Sequence, residues 1–259
     1  MCRCVFIINL PRGGFDPTET TIPWVFLTKI GAQVLFATPD GNPATADQRM
    51  ITKGLGLLSP FLMTSRKVLA LYDQMIMTPQ FRNPIAYQDI EPRKIVGLHI
   101  PGGHGEEIKS MLESEILQQK ISECFLLDKV VSAICTGVLT VARSKDPQTQ
   151  KSVIYYRRTT AVTRWMELSG WYLTRRWYGN YYRVYPETAQ DEIESLLQNK
   201  NQFQSGGLRT FPAQYTQYAP ALQFIVRDGN YLSGRWPGDC YRFALELVQM
   251  IQKKQRETL

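Results

Sequence analysis

Histidine is nearly missing from this chain of 259 residues, which holds only His99 and His104. Cysteine is scarce as well. Five thiols in a chain this long make no disulfide framework, and their odd number fits a reducing compartment. Cys2 and Cys4 would point the same way along a strand, but no further Cys/His pair stands near them, so packing is expected there and no metal site. Long apolar runs are missing too. No stretch of ~18 apolar residues exists, which excludes a helical membrane span. The N-terminal run Cys4–Ile8 is shorter than a secretory h-region and is followed by polar Asn9. We read it as a first buried strand of a cytoplasmic protein. Basic blocks are absent: the net charge of +7 is spread out, with small clusters at Arg157–Arg158 and Arg175–Arg176. With no zinc finger or RNP sequence, a solvated basic face is expected and no nucleic-acid partner. Neither Walker spacing nor GxGxxG occurs, so no organic cofactor is expected.

What is present is an ordinary globular balance, 44% hydrophobic and 20% charged, at a length that allows one large α/β domain or two small ones. Val5–Leu10 is a β-type run. Thr20–Ile30 has helical spacing, with Pro23 in its first turn and Gly31 ending it. Gln33–Ala37 is a second strand, so the chain opens β–α–β with a right-handed crossover. Residues 42–93 read as a cap inserted into a single domain spanning 1–259. Lys94–Ile100 is a third strand, followed by an amphipathic helix over Glu106–Ile121. Lys129–Ile134 is a fourth strand, and Val138–Ala142 is helical. Thr160–Val162 reads as a short strand, and 163–199 as two helical pieces split by Pro186. A hairpin turns at Asp228–Gly229, and Asp239 can cap a last helix. Alternating β and α with Gly-rich strand ends predicts a doubly wound, mostly parallel sheet with helices on both faces, a flavodoxin-like three-layer sandwich. Sites gather at the carboxyl ends of strands in that architecture.

Three such ends carry chemistry. Ala133-Ile134-Cys135-Thr136-Gly137 joins a strand directly to a helix, as a nucleophile elbow requires. A helix start beneath the sulfur favours thiolate; the plainer alternative is a packing cysteine. Gly102-Gly103-His104-Gly105 lets backbone amides approach a ligand. His104 is the histidine placed for a pocket, whereas His99 sits in an apolar strand and reads as core. Glu19, in Asp16-Pro17-Thr18-Glu19, would titrate jointly with a neighbouring thiol and could donate a hydrogen bond to its sulfur.

These three motifs, together with Phe36-Ala37-Thr38-Pro39-Asp40-Gly41, resemble the ThiJ/PfpI superfamily, which has the class I glutamine amidotransferase-like fold. Asp228-Gly229-Asn230 and Gly234-Arg235-Trp236-Pro237-Gly238-Asp239 resemble its C-terminal part. The 42–93 insertion resembles the longer branch, with its chaperones and glyoxalase- or deglycase-type enzymes. The resemblance implies Cys135 as nucleophile, Glu19 as its acidic partner, and the Gly103 and Thr136 amides as an oxyanion hole beside Gly102. It also implies a small-molecule substrate and a homodimer. Many members carry histidine directly after the cysteine; here Thr136 stands there, and a hydroxyl is no general base near pH 7. His104 would have to substitute, or Cys135 and Glu19 act alone. The expected function is therefore cysteine-dependent chemistry on a small reactive carbonyl or acyl compound, with a non-catalytic redox-sensing or chaperone-type stress protein as the alternative. A glutamine amidotransferase would need a downstream His-x-Glu pair, and no histidine follows residue 104.

The segment 171–185 holds seven aromatics interleaved with Arg175, Arg176 and Arg183. It reads as a packed helix or subunit interface, or else a pocket wall in which arginine holds a small anion. Thr159–Thr163 and Glu167 follow a strand and could border the site, but Glu167 reads more readily as a surface helix acid; Cys124 and Cys240 read as core.

Overall fold

Apolar runs too short for helices become the central strands. In the computed structural model, which describes residues 4–56, 59–207 and 220–257, the elements follow in this order. The first half contains β1 (Val5–Asn9), β2 (Gly13–Phe15), α1 (Pro17–Lys29), β3 (Gln33–Thr38), β4 (Thr45–Ala46), α2 (Ser59–Leu62), α3 (Arg66–Ile76), α4 (Pro79–Arg82), β5 (Ile85–Ala86) and β6 (Gly97–Ile100). The second half contains α5 (Lys109–Leu112), α6 (Glu115–Leu126), β7 (Val130–Ile134), α7 (Val138–Arg143), α8 (Arg164–Tyr178), α9 (Ala189–Leu196), β8 (Ile225–Asp228), β9 (Tyr231–Gly234) and α10 (Cys240–Glu257). Cys2 lies outside the described residues.

Seven strands form the main sheet in the order β5-β3-β1-β6-β7-β9-β8. Neighbours are parallel throughout except β8, which returns antiparallel along β9. The chain starts in the middle, builds outward through β3 and β5, then reverses through β6 and β7. The reversal lies between β1 and β6, where the strand ends splay and leave a crevice. β1 and β7 are buried on both faces, which explains their mostly apolar sequences; the polar Asn9 and Ser132 are buried with hydrogen-bond partners.

Helices cover both faces. Tyr231 of β9 meets Phe125 of α6, while its sequence neighbours on the opposite face, such as Gly234, lie against Phe243 of α10. α10 packs on α1, and α1 on α3. Within 42–93, α4 lies against β3 and Ile85–Ala86 extends the sheet edge.

Three local expectations are corrected. The helix over Glu106–Ile121 is broken: α5 stops at Leu112, and Ser114 starts α6 afresh, its Oγ accepting from the Leu117 amide at 3.2 Å. A side-chain cap satisfies an otherwise orphaned N–H, so the new start wins over continuation. Thr160–Val162 is not a strand; only Thr159 makes a bridge there, to Phe203. α1 starts at Pro17 rather than Thr20, capped by Asp16, so Pro23 lies in its second turn and not its first. Cys124 and Cys240 are fully buried core residues.

Candidate functional site at the carboxyl edge

Glu19 is delivered by the start of α1. Asp16 is the N-cap, its Oδ1 accepting from the amides of Thr18 at 2.7 Å and Glu19 at 3.0 Å, and Pro17 supplies the first helical residue. This turn is buried, so Glu19 points into protein. Its Oε2 accepts from the Gly102 amide at 2.7 Å. Its backbone carbonyl lies 3.0 Å from His99 Nε2, and His99 Nδ1 lies 3.1 Å from the Ser132 hydroxyl. Burial pushes His99 down to about 4, so the ring is neutral near pH 7. His99 is core, as its strand suggested, but it also fastens the helix turn that carries Glu19.

Cys135 ends β7 with φ of 57°, a left-handed conformation that costs a non-glycine residue energy and is held only by its surroundings. The chain then turns straight into α7. The close turn needs Gly137: a Cβ there would sit 2.4 Å from the Pro101 carbonyl oxygen. Thr136 Oγ1 both accepts from the Gly103 amide, at 3.1 Å, and donates to the Gly103 carbonyl, at 3.2 Å. The hydroxyl is therefore committed to Gly103. The Gly102 amide is committed to Glu19, so of the two glycines only Gly103 has an amide that a ligand could claim, by displacing a hydroxyl.

The electrostatics correct one expectation. A helix start was expected to favour a resting thiolate. Instead, burial pushes the Cys135 thiol well up, the charges of Glu19 and Asp16 push it further, and the Thr136 amide opposes them only in part. Glu19 is likewise held well above the carboxylate range, by burial and then by Asp16. Asp16 itself is pushed up to about 6, chiefly by burial. Near pH 7 Cys135 and Glu19 therefore keep their protons, while Asp16 is largely ionised. Replacing Glu19 with Gln removes the nearest like charge, so iodoacetamide labelling of the Cys135 peptide, followed against pH by mass spectrometry, should have its midpoint above the ~8.5 of a free thiol in wild type and a lower one in Glu19→Gln. An unchanged midpoint would show that burial alone controls the thiol.

His104 lies on the other side of the cleft. Its Nδ1 is 3.4 Å from Asp47 Oδ2, and its ring stacks on Tyr181 at 5.0 Å between centroids. The Tyr181 hydroxyl donates to the same Asp47 oxygen. Burial alone would raise Asp47, but bonding and charge from His104 outweigh it and the carboxyl ends below its usual value.

Above these groups lies a cleft of about 540 Å³, with Cys135, Thr136, His104 and Glu167 among its lining residues. Glu167 is the residue that sequence reasoning misjudged. It is only 7% exposed, and its Oε2 accepts from the Ala189 amide at 2.9 Å. Burial pushes its carboxyl up to about 7, against the pull of that amide and of Arg183. Helical spacing could not reveal this, because α8 carries aromatics around its whole circumference. Of the aromatic segment, Tyr182 lines the cleft and Tyr181 backs His104. Arg175 and Arg183 lie over the Trp171 ring at 4.9 and 5.0 Å. Among the described residues, no group of three or more His, Cys, Asp or Glu could hold a metal ion.

A family model described as ThiJ/PfpI family-like matches residues 10–206. The chain belongs to the ThiJ/PfpI family. An uncharacterized protein of Schizosaccharomyces pombe, C14C4.04, is 30% identical over 147 residues, a match covering 53% of each protein. The chain thus spans about half the length of that relative. Among solved structures of the ThiJ/PfpI fold, glyoxalase III of Candida albicans is similar with a TM-score of 0.68 at 18% identity, covering 96% of this chain and 97% of that one. DJ-1beta of Drosophila melanogaster is similar with a TM-score of 0.55 at 14% identity, covering 100% of this chain and 98% of that one. At these identities the likeness concerns the ThiJ/PfpI fold. No helix among the described residues is long and apolar enough to cross a membrane.

Proposed function

We propose that this ThiJ/PfpI protein is a cysteine-dependent enzyme acting on reactive carbonyl compounds, of which 2-oxoaldehydes are the simplest. The observation that carries the reading is the convergence of one thiol, Cys135, with the high-pKa carboxyl of Glu167 at one cleft, the buried high-pKa carboxyl of Glu19 being hydrogen-bonded to that thiol from behind. Groups tuned toward the working pH are what proton transfer at a carbon centre needs. An oxidation sensor needs an accessible thiolate; Cys135 is buried and its surroundings favour the thiol.

In the proposed reaction, the Cys135 sulfur adds to the aldehyde carbon as its proton passes to a neighbouring carboxylate. The carbonyl electron pair moves to oxygen, which takes up that proton and becomes a hemithioacetal hydroxyl. The Thr136 amide and the Gly103 amide, released from the Thr136 hydroxyl, receive the developing charge. Glu167, as carboxylate, removes the proton on the former aldehyde carbon and returns it to the adjacent carbon, while the hemithioacetal hydroxyl proton passes to the former ketone oxygen, giving the thioester of a 2-hydroxy acid. Water then breaks the carbon–sulfur bond and restores the thiol. The sum is one oxoaldehyde and one water giving one 2-hydroxy acid. Glu19 is hydrogen-bonded to the resting Cys135 thiol, and His104, braced by Asp47, is the second proton carrier.

Lactate formed from methylglyoxal is the test. Cys135→Ser should lower kcat/KM by about a thousandfold or more, and Glu167→Gln by about a hundredfold. Equal turnover by Cys135→Ser would overturn the reading.

A further inference from the structure

The cleft is far larger than methylglyoxal. About 540 Å³ falls in the range that holds a drug-sized ligand. Its walls beyond the reactive groups are apolar: Val162, Trp165, Met166, Leu173 and Trp236. On α8 three residues between Met166 and Leu173 line it, the acid Glu167 and the small Ser169 and Gly170, and the two small ones leave room for a ligand.

Charge points the same way. Glu167 lines the cleft and, as the carboxylate the reaction uses, repels an anionic tail; Glu19 and Asp16 are buried and do not line it. The one Lys or Arg among the described lining residues is Arg235. Its Nε and Nη2 already bond Asp239 Oδ2 and Oδ1 at 2.8 and 3.0 Å, and Nη1 bonds the carbonyls of Ser205 and Gly207. Of the nearby arginines, Arg175 and Arg183 lie over the Trp171 ring rather than lining the cleft.

Resting on the proposed use of Cys135, we infer that the natural substrates are oxoaldehydes carrying an uncharged apolar tail of roughly five to ten carbons, the size such a cleft holds. Ser169 and Gly170 then set the tail length.

Two measurements test this. The first is kcat/KM for straight-chain 2-oxoaldehydes from methylglyoxal to 2-oxodecanal. Each added methylene should raise it two- to fourfold until the cleft is full, and Ser169→Phe should lower the ratio of long-chain to short-chain kcat/KM at least tenfold. The second needs no chemistry: titration of 1-octanol and of octanoate into the Cys135→Ser protein, read by tryptophan fluorescence. Octanol should bind at least tenfold more tightly than octanoate, and more weakly once Ser169→Phe is added. A flat series with methylglyoxal still consumed would overturn the apolar specificity and leave the reaction standing. Octanol binding with no oxoaldehyde consumed would support the cleft assignment and overturn the reaction. Equal binding of octanol and octanoate would overturn the inference.

Discussion

Arg235→Met should cost the folded state about 3–5 kcal/mol, seen as a lowered urea midpoint, because it strands a buried carboxylate. The Arg235 and Asp239 side chains are 2% and 0% exposed. Asp239 Oδ1 also accepts from the Phe224 amide at 2.8 Å, so the pair ties the Phe224 strand entry to the start of α10. Through the carbonyls of Ser205 and Gly207, the guanidinium holds a further stretch beside the cleft. Removing both charges with Arg235→Met and Asp239→Leu should cost clearly less than the two single losses summed, since neither charge is then left alone. A single-variant loss below about 1 kcal/mol would mean that water or neighbours replace the pair.

Gly102→Ala should act on function more than on folding. The added methyl carbon would lie 2.7 Å from Cys135 Cβ, 2.8 Å from Glu19 Oε2 and 2.9 Å from Thr136 Oγ1. Every atom it meets belongs to the site, so the displacement falls on the thiol, the acid and the hydroxyl together. Misplacing reacting groups by fractions of an ångström to an ångström costs about a hundredfold in rate, while overpacking costs about 1–3 kcal/mol. We expect kcat/KM for methylglyoxal to drop about a hundredfold with the protein still folded. Gly31→Ala is the comparison. Gly31 has φ of 78° with nothing within 4 Å of its Cβ position, so that variant should lose about 1–2 kcal/mol through backbone strain and keep its activity. A Gly102→Ala enzyme as active as Gly31→Ala would show that the three groups need no fixed spacing.

These expectations draw on parts of the molecule that were unequally legible in the sequence. β1 and β7 are mostly apolar runs, and a parallel sheet buries both faces, so strand and burial could be read together. The helical spacing located α1 but not its start: Asp16-Pro17 opens the helix three residues before Thr20. The three strand-end motifs sit at neighbouring strands, β1, β6 and β7, which is why linear motifs led to groups close in space. The break at Ser114 was hidden because a cap and a continuing helix use the same apolar spacing; only the competition between hydrogen bonds decides. The burial of Glu167 depends on α9 folding over the first turn of α8, a contact that no local pattern encodes. The Asp47–His104–Tyr181 cluster joins residues far apart in sequence. The resting thiol was misread because a helix start was weighed without its surroundings: three buried carboxyls outweigh one amide.

The commitment of the Gly102 amide to Glu19, and of Glu19 to a turn fastened by His99, has a consequence for synthesis. Residues from 16 to 239 must be in place before the thiol has its acid, its wall and its anchored Arg235. A chain that ends after β7 already holds Glu19 and the Gly102 amide, but Glu167, Trp165, Arg235 and Trp236 come later in sequence, so the cleft around Cys135 is completed only with the C-terminal third of the chain.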